Sequence, residues 1–313
     1  MNSVNNIDSF IFEDHQMEGM FQRPSMPDIE TDYIVIGAGL AGLFSAIELR
    51  KKGKEVWVLG SEYESQLAKA GPLRQVTSIP EGTIGIDYIL ELMEKAKSLG
   101  VNHKSSVCTG IVTGERIEVS TKHQKFIAKH VIIATGAKQA KLGFEGEMDF
   151  LHKGISDCTV CDFGLFRGKN IAVLGNHEYT WRASKFMVPH VNKVYLLWYD
   201  QPLDKINDKV EIYSEVTDLV AFGSETLEGV KFSSNEGPHE LSIDGLFVEG
   251  KPIPATDFLK DSPIDLDENG YVKINVHYET SVPSIYAVGD VTGKSNTYES
   301  VLHEVNGLIK AIL

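Results

Sequence analysis

The stretch from Asp32 to Leu59 restricts the fold more than any other part of the chain. Asp32-Tyr33-Ile34-Val35-Ile36 is an apolar run of strand type. Gly37-Ala38-Gly39-Leu40-Ala41-Gly42 follows as a glycine turn, and a helical segment extends through Arg50. After the Lys51-Lys52-Gly53-Lys54 turn, Glu55 to Leu59 reads as a second strand and completes a β-α-β unit. The glycine spacing has a mechanical meaning. Gly37 permits the tight turn, Gly39 lets backbone approach a pyrophosphate, and Gly42 lets the helix pack close to the strand. The helix, opened by Leu40 and Ala41, then turns free N–H groups toward the phosphates. A plain glycine-rich turn is the competing interpretation, and the ordered strand, helix and strand favour the nucleotide. The acid expected near the end of the second strand is Glu62, beyond Gly60-Ser61.

The pattern recurs after Lys169. Asn170 to Leu174 reads as a strand, Gly175 as a turn, Tyr179 to Val188 as a helix stopped by Pro189, and Lys193 to Trp198 as a second strand. Two nucleotide-type domains fit the 313 residues, which suffice for two cores. Between the units, residues 86–100 have apolar positions at helical spacing and end at Gly100. Short alternating strands run from Val107 to Val119, and His130 to Ala134 is a buried strand ending at Thr135-Gly136. Near the end, Asn269-Gly270 turns into a strand over Tyr271 to Ile274. Ser281 to Asp290 gives another strand finished by Gly289-Asp290, and a helix closes the chain. The first 29 residues carry early acids, lack a basic start and an apolar core, and are expected to be a tail, docked or disordered, and not a signal peptide.

Charge and cysteine usage narrow the function classes. Thirty basic against 44 acidic residues leave −14, which repels nucleic acid and anionic lipid alike. No window supplies about 18 uncharged apolar residues, so a membrane span is not expected. Of three cysteines, two stand as Cys158-x-x-Cys161 and Cys108 is alone, a usage that suits a reducing cytoplasm. The pair is spaced to close a disulfide, and a local turn or helix start lowers one thiol's pKa. Half a zinc site and two inert thiols are the alternatives. No second cysteine pair or His-x-x-x-His accompanies the first, so redox chemistry is favoured and no metal is expected. Cys108 reads as a buried small hydrophobe, and His303 as a surface or core histidine, with a role near a flavin edge as the alternative.

Four landmarks stand in order: GAGLAG at 37–42, ATG at 134–136, CTVC followed by Asp162, and YAVGD at 286–290. Together they resemble the low-molecular-weight thioredoxin reductases from about Asp32 to Ala311. The resemblance implies an α/β chain with two Rossmann-like domains of three-layer ββα type. It implies a discontinuous FAD domain from residues 30–150 and 248–313, and a nicotinamide-type domain, 151–247, carrying the cysteines. It implies a homodimer that exchanges electrons between FAD and the Cys158–Cys161 disulfide and passes them to a thioredoxin-like protein. Cys158 then attacks the partner's disulfide, Cys161 lies against the flavin, and Asp162 protonates the departing thiolate. Gly289-Asp290 hydrogen-bonds the flavin's hydroxyls, and Thr135-Gly136 ends the strand beneath the cofactor. A helix N-cap is the plain alternative for Asp290, a chain reversal for Thr135-Gly136, and a solvated loop acid for Asp162.

The chain also departs from that family. Where its second motif reads GxGxxA, this sequence places Gly175, then His177, then Thr180, with Glu178 adding negative charge. A histidine at the second position obstructs the approach to a pyrophosphate, so nicotinamide binding is expected to be impaired. The arginine pair that holds the 2′-phosphate of NADP is replaced by Trp198-Tyr199-Asp200-Gln201-Pro202, and Asp200 leaves NADH open. Near the flavin the family's Gly-Gly-Gln is Ala70-Gly71-Pro72-Leu73, and its Arg-Gln pair is Glu299-Ser300. Members with such losses take electrons from ferredoxin or another carrier. Docking an acidic ferredoxin calls for a local basic patch, for which Lys153, Arg167 and Lys169 are candidates. The alternatives are an oxygen-using dithiol oxidase, an NADH-dependent reductase with an altered pocket, and a flavin-bound sensor without turnover.

Overall fold

The structure, a computed structural model, describes residues 27–70, 73, 76, 79–138, 140–200, 207–294 and 297–313, with Val160 and Cys161 described by their backbone only. The expected tail therefore lies, up to residue 26, outside the described residues.

Runs of β-branched and leucine residues buried on both faces form parallel strands. In the first sheet these are β1 (Ile29–Ile36), β2 (Val56–Leu59) and the second half of β6 (Lys125–Ile133), with the polar β3 (Asn102–Lys104) parallel at the edge. They are joined by antiparallel β4 (Cys108–Val112) and β5 (Ile117–Thr121), and by β17 (Ile285–Ala287). The order is β3-β2-β1-β6-β5-β4, with β17 parallel to the second half of β6. Helices α1 (Leu40–Lys51), α3 (Gly85–Ser98) and α6 (Tyr298–Ile312) cover one face. In α3 the buried positions Ile89, Leu92, Met93 and Ala96 repeat at helical spacing, and Gly100, at φ +90°, ends it.

The second sheet is wholly parallel, in the order β11-β10-β9-β15-β8. Its strands are β8 (Ile155–Ser156), β9 (Asn170–Gly175), β10 (Lys193–Trp198), β11 (Val210–Tyr213) and β15 (Gly245–Val248). Helix α5 (Glu178–Met187) packs on one face. A three-stranded antiparallel sheet of β12 (Thr217–Gly223), β13 (Leu227–Ser234) and β14 (Gly237–Ser242) covers the other. Short helices α2 (Gln66–Lys69) and α4 (Thr159–Asp162) complete the elements, with β7 (Ala137–Lys138) and β16 (Ile253–Pro254). Those last two strands pair antiparallel where the chain leaves the first sheet and returns to it. Leu142, Phe144 and Phe150 pack on the second core, so these residues lie with the second sheet and not with the first.

Two expected strands are shorter or absent. Residues 271–274 form no strand, and Val272 only bridges Leu266: the Tyr271 N–H goes to the Asp267 carboxylate, and those of Val272 and Lys273 go to the separate carbonyls of Val291 and Asp265, so no continuous ladder forms. The strand expected over 281–290 is confined to β17, since Ser284 adopts φ +65° directly after Pro283. The sheet β12–β14 was not anticipated, its strands alternating weakly and reversing at exposed polar turns.

Candidate functional site

The carboxyl ends of β1, β2 and β17 converge on the N-terminus of α1. Gly37 sits at φ +118°, and a Cβ there would lie 2.2 Å from the Ala134 carbonyl oxygen. A Cβ on Gly42 would lie 1.9 Å from the Gly37 oxygen, so α1 touches the loop backbone to backbone. Gly39 differs: a Cβ would meet only Ser65 Cβ, at 3.3 Å. Gly39 is the N-cap of α1, no side chain caps the helix there, and its first turn, with Leu40 and Ala41, carries no acid. This leaves an N-terminus able to receive an anion.

Glu62 follows β2 in a single 3-10 turn and is buried. Its Oε2 has no hydrogen-bond partner and stands 3.6 Å from His103 Nε2, which bonds the Gly60 oxygen at 2.8 Å. A buried carboxylate oxygen without a donor is costly, and a ligand hydroxyl would satisfy it. Gly289, at φ +84°, brings the end of β17 against Ala41, where an added Cβ would be 3.0 Å away, and its N–H donates to the buried Glu304 of α6 at 3.0 Å. Burial, then the Glu304 charge, push the Asp290 carboxyl up to about 6. Thr135 and Gly136 reach the chain crossing: Thr135 Oγ1 donates to the Ala255 oxygen at 2.9 Å, and the Gly136 oxygen accepts the Ala255 N–H at 3.0 Å.

The cysteine segment lies at the second sheet. Cys158 is disulfide-bonded, and Cys161 lies in α4, its side chain outside the described residues. Ser156, buried at the end of β8, accepts the Cys158 N–H at 3.1 Å and donates to Asp162 Oδ2 at 2.8 Å. The Asp162 N–H returns to the Cys158 oxygen at 3.2 Å, so the carboxylate is held beside the cysteine turn. Thr159 donates through its hydroxyl to Glu249, which directly follows β15 and is buried. Burial, with the charge of Asp157 adding, pushes the Glu249 carboxyl up to about 7, against the opposing hydrogen bonds from Thr159.

That shift makes stability depend on pH. A carboxyl raised in the folded state favours folding below its unfolded value of 4.5, and the benefit is lost as pH rises through about 7. Glu249→Gln is therefore expected to melt like the parent at pH 4 and several degrees higher at pH 8, a difference of roughly 2–3 kcal/mol. Thermal melts at the two pH values check this, and identical curves at pH 8 would contradict it.

At the second glycine motif the picture is the reverse of α1. Gly175 ends β9, and an added Cβ would stand 2.5 Å from the Glu249 carbonyl oxygen. His177 is the N-cap of α5. Its Nδ1 accepts the Tyr179 N–H at 3.2 Å, and burial pushes its pKa below the ordinary histidine value. Glu178 adds an acid in the first turn, paired with Arg182 at 2.6 Å, and Thr180 is buried where a small residue packs in the family's motif. Asp200 accepts a hydrogen bond from Asn176 at 3.1 Å, so the acid that left NADH open is engaged within the protein.

Residues 31–306 match the pyridine nucleotide-disulphide oxidoreductase family, nearly nine-tenths of the chain. The chain belongs to this family. Thioredoxin reductase of Aquifex aeolicus (strain VF5) is 27% identical over 280 residues, covering 85% of this chain and 86% of that protein. An alkyl hydroperoxide reductase component of Staphylococcus aureus (strain MSSA476) is 28% identical over 279 residues, and the match spans 85% of this chain but 55% of that longer protein. Among solved structures, thioredoxin reductase from Streptococcus pyogenes MGAS5005 superposes with a TM-score of 0.78 at 24% identity, covering 91% and 97% of the two chains. Thioredoxin reductase of T. acidophilum gives 0.68 at 25% identity, covering 90% and 97%. This pyridine nucleotide-disulphide oxidoreductase is thus an enzyme of thioredoxin reductase-like type, with the expected Rossmann-like α/β fold.

The structure draws Gly37, Gly39, Leu40, Ala41, Gly42, Glu62, Gly289 and Asp290 around the start of α1 and sets Cys158 with Asp162 at the other sheet. Ser156, Glu249 and Glu304 were missed from sequence. Glu249 carried a signal, an acid directly after the apolar run Leu246-Phe247-Val248. Burial pushes the Cys108 thiol up to about 11, which disfavours its thiolate, and His303 is exposed on α6. Gly71 and Pro72 lie outside the described residues. Among the described residues no helix is long and apolar enough to cross a membrane, and no group of His, Cys, Asp or Glu is placed to hold a metal.

Proposed function

We propose that this enzyme is an FAD-dependent disulfide oxidoreductase that moves electrons between FAD and the Cys158–Cys161 disulfide, and on to a thioredoxin-like protein, without using NADPH. The observation that carries it is the contrast between two helix N-termini. That of α1 is uncapped by any side chain and free of acid, whereas that of α5 is closed by His177 and made acidic by Glu178.

The residues present fit FAD. The start of α1 at Gly39, Leu40 and Ala41 would receive the pyrophosphate, and the unbonded Glu62 Oε2 would take a ribose hydroxyl. Asp290 would bond a hydroxyl of the flavin's sugar chain, relieving its buried charge, and Gly289 keeps the approach open. When bound, FAD supplies the two-electron carrier. The FAD-binding domain would comprise 30–150 and 248–313, and the cysteine-carrying domain 151–247. The second core's hold on Leu142, Phe144 and Phe150 favours moving the crossings to 137–138 and 253–254.

The chain's residues then act on the disulfide. Reduction of Cys158–Cys161 takes two electrons and two protons and yields two thiols. Cys158 as thiolate attacks the partner's disulfide, Cys161 resolves the mixed disulfide, and Asp162, held by Ser156, gives a proton to the leaving thiolate. Exposed Lys153, Arg167 and Lys169, with Leu165 63% exposed among them, offer a basic and apolar patch for an acidic carrier such as ferredoxin. The protein would work as a cytoplasmic homodimer.

The test is stoichiometric. One equivalent of dithionite per flavin, added anaerobically and followed by maleimide, is expected to label two thiols at Cys158 and Cys161, with Cys108 labelled only after unfolding. Cys161→Ser keeps the yellow colour and loses thioredoxin reduction by at least about 10³-fold. Labelling absent from both cysteines would overturn the redox role.

A further inference from the structure

The parallel sheet β11-β10-β9-β15-β8 places its switch point between β9 and β15, where doubly wound sheets receive their ligands. Glu249 fills that crevice. Its N–H donates to the Leu174 oxygen at 2.9 Å, its carbonyl accepts from Thr180 Oγ1 at 3.2 Å, and its side chain is buried against Thr159. One residue thus ties β9, α5 and the cysteine turn together, at the place where the second glycine motif would otherwise face a dinucleotide.

We infer that Glu249 is a positioning residue for the cysteine turn, anchoring Cys158-Thr159-Val160-Cys161 in the crevice through Thr159 and setting, by its charge, how readily the reduced cysteines form thiolate. The inference rests on the proposed redox role of that pair. Thr159 lies between the two cysteines in sequence, so an ionised Glu249 contacts the turn that carries both. A thiolate forming on that turn meets a like charge beside it, which holds it back. Asp157 is the other charge that acts on the Glu249 carboxyl, His177 at the start of α5 meets the Glu249 backbone, and Lys251, two residues after Glu249, acts on His177. Lys141 and Glu147 line a cavity of about 40 Å³ beside Val248 and Asp157. Asp157 is exposed and Asp162 bonds Ser156, which leaves Glu249 as the buried carboxyl in contact with the turn.

The experiment uses the full-length flavoprotein, reduced anaerobically with dithiothreitol, desalted, and alkylated with iodoacetamide between pH 5.5 and 9. The rate at Cys158 and Cys161 is read by peptide mass spectrometry. In that step the thiolate forms the S–C bond and iodide leaves, so the rate reports the thiolate fraction. Glu249→Gln, which removes the charge and keeps an acceptor for Thr159, is expected to react roughly three- to tenfold faster near pH 7. Glu249→Ala gains the same and exchanges the amide hydrogens of residues 158–162 at least about tenfold faster, its anchor being lost. Asp157→Asn stays within about twofold of the parent. A Gln profile superimposed on the parent's, or unchanged exchange in the Ala variant, overturns the inference. If neither variant folds, the parent decides alone: coupled carboxyl and thiol give a two-step rise of rate with pH, and a single-step rise overturns it. Whether the reduced cysteines bleach the flavin is read separately, so a failure of the proposed electron transfer is distinguished from a failure here.

Discussion

NADPH and NADH, added anaerobically at micromolar concentration to the yellow protein, are expected to leave the flavin absorbance unchanged, while dithionite and dithiothreitol bleach it. The pyrophosphate of a nicotinamide dinucleotide needs the free N–H groups at the start of α5. One of these, on Tyr179, is bonded to His177 Nδ1 at 3.2 Å, and the next side chain is the acid Glu178. Each charged hydrogen bond forgone costs about 1.5–3 kcal/mol, and an acid in place of an open N-terminus adds a few tenths to 1 kcal/mol. Together these weaken binding by roughly 20- to 10³-fold, well above micromolar concentrations. His177→Gly is expected to recover part of it, visible as slow bleaching by NADH, since no arginine awaits the 2′-phosphate of NADPH. Rapid bleaching of the unaltered protein by either nucleotide would show that the loop shifts to admit it.

The first crevice was legible in the sequence because its requirements are steric. Gly37 and Gly42 are positions where a Cβ would overlap backbone, and such positions admit glycine whatever surrounds them. The histidine at the start of α5 stood out for the same reason, as a side chain where the family's motif has a glycine. Its capping was not legible, because a histidine that caps its own helix looks the same in sequence as one that merely obstructs. The contacts of Ser156, Glu249 and Glu304 depend on partners 6, 90 and 15 residues away, which no local pattern encodes. The strand expected at 271–274 fails for the opposite cause. The Asn269-Gly270 turn is there, but the Asp267 carboxylate takes the Tyr271 N–H, and Val272 and Lys273 donate to carbonyls of two different segments, Val291 and Asp265, so no ladder extends.

Gly39→Ala and Gly42→Ala are expected to fail in different ways, although the two glycines belong to one motif. At Gly42 the new Cβ would stand 1.9 Å from the Gly37 oxygen and 3.3 Å from Val35 Cγ1, and both α1 and the loop are fixed by the buried core around Leu43, Ala46 and Ile47. Relief requires moving a helix against its sheet, a cost of about 4 kcal/mol or more, so little soluble protein is expected and none of it yellow. At Gly39 the backbone, with φ −85° and ψ −169°, suits alanine, and the nearest atom is Ser65 Cβ at 3.3 Å, at the start of the short helix α2. That variant is expected to fold with a melting temperature within a few degrees of flavin-free parent protein. Its flavin content falls at least about tenfold, because the methyl group stands where the pyrophosphate would meet the backbone. The ratio of flavin to protein absorbance and a thermal melt of each variant decide the matter. A yellow Gly39→Ala protein would move the phosphate site away from α1, and a folded Gly42→Ala protein would mean that the helix yields where the packing says it does not.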